Sequence, residues 1–205
     1  MLAGTARSEP HLDWKVASRP LPGQHTSGDL HVVQSRSEGA LVAVVDGVGH
    51  GEEAALAAQR ATDTLRLHHE EPLVALVGRC HAALAGTRGA VMSLAAFDVG
   101  RACMSWIGVG NVEGTLLRTT GGDTARTSLL LRGGVVGHEL PSLGISVVEV
   151  APGDLLVFAT DGIHPDFARD VDPSEPLQPL ADRILAEYAR DTDDGLVLAV
   201  RYRGP

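Results

Sequence analysis

Three apolar runs in this chain abut aspartates, and no other feature limits its fold as much. Leu41 to Val45 stop on Asp46, with Gly47 next. "LLVFAT" (155–160) stops on Asp161, with Gly162 next. "LVLAV" (196–200) follows Asp193, Asp194 and Gly195. Five apolar residues without alternation mark a strand buried on both faces. Such a strand belongs inside a layered structure, and only its ends can present a carboxylate to solvent. Asp29 opens another strand-like stretch, "DLHVVQSR" (29–36), just before the first of these runs.

The order of the remaining elements narrows the class. "DLHVVQSR" and "ALVAVVD" (40–46) read as two strands joined by a "SEG" turn. From Glu52 to about His69 the spacing predicts a helix with Ala54, Ala55, Ala58, Ala61, Thr62 and Leu65 on one face. Glu52 and Glu53 suit the positive end of its dipole. A second helix is expected from Pro72 to about Ala85. Strand-length runs follow at 90–99, 101–110 and 112–120, with further strands at 127–132, 145–150, 154–159 and 196–203, and a late helix at 177–190. Helices set apart from runs of strands point to an α+β protein with antiparallel sheets and helices packed outside, not to alternating βαβ units. Residues 1–13 are expected to form a loose start and 14–205 a single domain.

Composition excludes several roles. The chain has 205 residues, enough to bury roughly 70% of its unfolded surface without staples. Aromatics are only 3%, so Val, Leu and Ala must build the core. A net charge of -9 argues against a nucleic-acid surface. There is no 18-residue apolar run and no hydrophobic leader, so the expectation is a cytoplasmic protein without membrane contact. Cys80 and Cys103 sit among apolar residues and read as reduced core thiols.

An Asp-Gly pair taken singly is a common turn dipeptide. Four strand ends bearing carboxylates are a different matter. Gathered at one edge they repel one another, and hard oxygen ligands of this kind suit Mg²⁺ or Mn²⁺.

The motifs carry a specific resemblance. "DGVGHGEEAALAA" (46–58), "GDLLVFATDGI" (153–163) and "DDGLVLAV" (193–200) resemble three ordered signatures of the PPM (protein phosphatase 2C-like) metal-dependent serine/threonine phosphatases, in their SpoIIE-type branch. "SGDLHVV" (27–33) and "WIGVGNVEGTLL" (106–117) resemble two more. The resemblance implies a four-layer αββα sandwich with two Mn²⁺ or Mg²⁺ ions at one edge. Asp46 would match the ligand shared by both ions and Gly47 would offer its carbonyl to the second. Asp29 would stand on the second-ion side, and Asp161 and Asp193 would bind the first. Water activated by the metals would attack phosphoserine or phosphothreonine with no protein nucleophile. The small stand-alone, stress-signalling members of the branch suggest phosphorylated STAS-domain regulators as substrates.

Some positions stay open at this level. Asp194 competes with Asp193, although it fills a place often taken by Asn. Eukaryotic members grip phosphate with an Arg that has no match in "PLPGQHTSGD" (20–29); Arg19 is the nearest. His50 and His164 are candidate proton donors, with loop packing as the alternative for His50, and Asn111 reads as a turn former, with a substrate contact as the alternative. The helix after Gly51 is either a support or a partner-driven switch. Two rival functions remain: a non-catalytic pseudophosphatase that binds partners, and a metallohydrolase of small phosphate esters.

Overall fold

The computed structural model describes residues 10–120 and 123–205. Most of the stretch expected to be loose, residues 1–9, lies outside these. Among the described residues, eleven strands form two sheets, and three α-helices cover their outer faces. One sheet contains β1 (Leu12–Arg19), β11 (Gly195–Tyr202), β10 (Leu155–Ala159), β6 (Glu113–Thr120) and β7 (Asp123–Ser128), in that order. The other runs β2 (Asp29–Arg36), β3 (Gly39–Gly47), β4 (Ala90–Asp98), β5 (Cys103–Val109) and β8 (Leu131–Arg132), with β9 (Ser146–Glu149) also on β5. Pairing is antiparallel except between β5 and β8.

The continuous apolar runs produce three apolar layers, as two-faced burial requires. On β3, Val42 and Val44 face the other sheet, where they meet Phe158 of β10 and Leu198 of β11. Leu41, Ala43 and Val45 face the opposite way, onto α1 (Glu52–Leu67) and α2 (Leu73–Ala83). Val157 and Ala159 of β10, with Val197 and Ala199 of β11, pack under α3 (Leu177–Tyr188). The result is the αββα sandwich of the sequence reading. The buried face of α1 includes Ala57, while Ala55 stays partly exposed.

Two strands depart from expectation. β1 begins at Leu12, inside the segment expected to be loose, and pairs along its whole length with β11, from Leu12↔Tyr202 to Arg19↔Gly195. Its own sequence alternates weakly; the order comes from a partner almost 190 positions away. The stretch 127–132, expected as one strand, belongs to both sheets. β7 ends at Ser128 on one sheet and β8 begins at Leu131 on the other. Leu129, between them, is buried in the central core, and its N–H donates to the Gly114 carbonyl at 2.7 Å, so the chain changes layer there.

Cys80 is buried, and burial pushes its thiol up to about 12. Cys103 is only partly buried, at the start of β5, so it is not the core thiol expected. Among the described residues no helix is long and apolar enough to cross a membrane.

Candidate active site

The starts of β2 and β11 and the ends of β3 and β10 meet at one edge of the sandwich. Asp46 keeps the alternation of β3 and continues the face of Val42 and Val44 toward the other sheet. The register sets Asp29 directly opposite it. Asp161 lies in the turn after β10, and Asp193 lies just before β11. Asp46, Asp161 and Asp193 share a cavity of about 150 Å³ with Val48, Gly49, Val91 and Asn111. No Ser, Cys or His is among the described residues lining it.

The two Asp-Gly pairs have a steric cause. A Cβ on Gly47 would run into the carbonyl oxygen of Ala54, in the first turn of α1. A Cβ on Gly162 would run into the carbonyl oxygen of Asp194. Glycine therefore lets each carboxylate-bearing turn press against the neighbouring backbone. This draws α1 onto the end of β3 and the β10 turn onto the start of β11.

Opposed carboxylates at the end of a buried strand are electrostatically costly. Burial is the main force holding the Asp46 carboxyl well above the ordinary carboxylate range, and Asp29, Asp161, Asp193 and Asp194 add to it. Asp29 is raised as well, mainly by burial, although Thr160 partly opposes this. The Thr160 hydroxyl donates to Asp29 Oδ2 at 2.7 Å and accepts from the Leu196 N–H at 2.9 Å. Burial and the Asp161 charge also raise Asp193.

The neighbouring aspartates 193 and 194 have different surroundings. Asp194 is 2% exposed, and its two carboxylate oxygens accept from the Leu21 and Gly28 N–H groups, each at 2.7 Å. It ties the 20–28 loop to β11. Asp193 faces the cavity and accepts one bond, from the Asp194 N–H.

Other candidates fall outside the cavity. Arg19 donates to the Arg190 carbonyl and to Asp191, at 3.0 and 2.9 Å. His50 is exposed and does not line the cavity. His164 accepts from the Asp166 N–H at the start of a short 3₁₀ turn (Pro165–Arg169). Gly47 and Asp29 do not line the cavity either; Gly47 pairs through its N–H with the Gly28 carbonyl. Asn111, read as a turn former, donates from Nδ2 to Asp161 Oδ2 at 2.7 Å. That role and the Thr160 bridge were missed, although "GVGN" and "ATDG" marked both places.

The donor set suits a hard divalent cation. It consists of carboxylate oxygens, and no hydrogen bond among the described residues relieves Asp46. No three carboxylate, imidazole or thiol groups among the described residues form a ligand shell alone. That is compatible with Mg²⁺ or Mn²⁺, since Mg²⁺ in particular retains several waters and takes only one or two protein carboxylates.

Comparison with known proteins agrees with this architecture. The model of the stage II sporulation protein E (SpoIIE) family matches residues 36–203. A chain from a structure of the bacterial stressosome, described as a modular system adapted to control secondary messenger signalling, is 30% identical. That match covers 93% of this chain and 99% of the other, with a TM-score of 0.84. RsbX in complex with magnesium is 18% identical, over 95% of this chain and 97% of RsbX, with a TM-score of 0.83. The Mycobacterium tuberculosis serine/threonine phosphatase PstP is 17% identical, over 94% of this chain and 99% of that one, with a TM-score of 0.73. The PstP catalytic domain has also been solved with two manganese ions. No curated protein matches the sequence. The chain belongs to the SpoIIE family, and its fold is that of the PP2C-type serine/threonine phosphatases.

Proposed function

We propose that the chain is a Mn²⁺- or Mg²⁺-dependent phosphatase that removes phosphate from phosphoserine or phosphothreonine in STAS-domain regulators. The observation that carries this is the convergence of Asp46, Asp161 and Asp193 from three separate strand ends on one small cavity. Asp46 would be shared between two cations, with Asp161 and Asp193 on one and Asp29 and the Gly47 carbonyl on the side of the other. Bound there, the cations would supply Lewis acidity, lowering the pKa of a water and neutralising phosphoryl oxygens.

The chain's own residues hold this arrangement in place. The buried strand β3 fixes Asp46, Asn111 orients Asp161, and Thr160 orients Asp29. Water attacks phosphorus, the bond from phosphorus to the seryl or threonyl oxygen breaks, one proton of the water ends on that oxygen, and inorganic phosphate is released. With no Ser, Cys or His among the described residues lining the cavity, direct attack by water is the route that fits.

The cavity size favours a protein substrate. Sites that enclose small molecules run to roughly 300–1,000 Å³. A cavity of about 150 Å³ admits a phosphoryl group and leaves the rest of the substrate outside. The stressosome chain and RsbX support the choice of stress regulators. The deciding experiment is dephosphorylation of phosphorylated STAS-domain proteins in Mn²⁺ by wild type and Asp161→Asn. Wild type should release phosphate and the variant should not. Equal release by both, or none by either, refutes the assignment.

A further inference from the structure

Among the described residues no Arg or Lys lines the aspartate cavity itself. Arg19 is engaged by Asp191 and the Arg190 carbonyl. Arg88 is placed differently. It lies in the turn between α2 and β4, and its Nη1 rests against Gly49 on the cavity wall: a Cβ at Gly49 would stand 2.7 Å from it. This turn is held against the site loop. The Val48 N–H donates to the Gly89 carbonyl at 3.1 Å, the Gly89 N–H donates to Thr87 Oγ1 at 3.0 Å, and Ala90 and Val136 exchange backbone bonds. The Arg88 backbone is therefore fixed relative to Asp46–Gly49.

The side chain keeps its freedom. It is half exposed and paired with Glu53, itself 69% exposed in the first turn of α1. On its outer side is an open recess of about 360 Å³, bordered by Glu53, Leu56, Arg60 and Thr87. An exposed pair of this kind is held weakly. A phosphoryl group offers the guanidinium a more highly charged partner and bidentate geometry.

We propose that Arg88 is a substrate-positioning residue: its guanidinium leaves Glu53 and pairs with a phosphoryl oxygen at the rim formed by Gly49. This rests on the phosphatase reading above. Glu53 is the resting partner and competes with the phosphate.

Calorimetric titration of the full chain with inorganic phosphate in Mg²⁺ tests the contact independently of turnover. Arg88→Ala should weaken phosphate binding about tenfold, the size of one charge-assisted hydrogen bond. Arg88→Lys should recover part of the loss, and Glu53→Gln should tighten binding by removing the competitor. With p-nitrophenyl phosphate, Arg88→Ala should raise KM more than it lowers kcat. Unchanged phosphate affinity in Arg88→Ala overturns the proposal, as does weakening by Glu53→Gln. Equal losses in Arg88→Ala and Arg88→Lys with lowered melting temperatures would mean a structural role and overturn it too. Arg88-dependent phosphate binding without release of phosphate from phosphorylated STAS-domain proteins by wild type would instead sustain the contact and refute the phosphatase reading.

Discussion

Asn111 Nδ2 donates to Asp161 Oδ2 across 2.7 Å, joining the loop after β5 to the turn after β10. The bond uses one lone pair of Asp161 and sets the direction of the rest. Partners that orient a ligand in this way typically change metal affinity about 10- to 100-fold when removed. Asn111→Ala should therefore raise the Mn²⁺ concentration for half-maximal hydrolysis by about 10- to 100-fold, with most of kcat restored at saturation. A Mn²⁺ titration checks this; an unchanged midpoint would leave Asn111 as a turn former only.

The carboxylate cluster should trade stability for function. Burial and neighbouring charges push Asp29 up to about 7 and Asp46 up to about 9, from an ordinary value of 3.8. A raised carboxylate pKa means the folded state holds the proton more tightly than the unfolded chain. The resulting stabilisation is complete below pH 3.8 and is lost as pH rises through 7 and 9. Melting temperatures in chelator should therefore fall between pH 5 and pH 9. Asp46→Asn should abolish hydrolysis, flatten that slope, and melt higher than wild type at pH 8 without metal. Mn²⁺ should then raise the melting temperature of wild type more than that of the variant.

Asp193 and Asp194 should separate in opposite assays. Asp194→Ala leaves the part-buried Leu21 N–H and the buried Gly28 N–H without their acceptor. A buried orphaned donor costs about 1–3 kcal/mol, so a loss of about that size is expected in urea unfolding. Asp193→Ala should lose activity with a smaller change in stability, because only the Asp194 N–H loses a partner.

Thr160 should matter more than its size suggests. It is fully buried, and its hydroxyl serves Asp29 and the Leu196 N–H together. Thr160→Val keeps the shape and removes both bonds. It should destabilise the protein by about 1–3 kcal/mol, and the same titration used for Asn111 should show a higher half-maximal Mn²⁺ concentration.

Local sequence was sufficient wherever burial dictates pattern. The runs at 41–45, 155–159 and 196–200 could only be strands covered on both faces, and their flanking aspartates had to stand at the rim. The helix from Glu52 and the class of the fold followed from spacing and element order. What only the tertiary structure decided involves partners distant in the chain. β1 takes its order from β11, and 127–132 splits because Leu129 drops into the core between the sheets. Asp193 and Asp194 are adjacent and chemically identical; they differ because one faces the cavity and the other meets two loop amides. Arg88, 42 positions after Asp46, reaches the rim because backbone bonds from Val48 and Ala90 hold its turn there. Periodicity records which residues leave water, while the direction of a hydrogen bond or a guanidinium is set only when separate strands have been brought together.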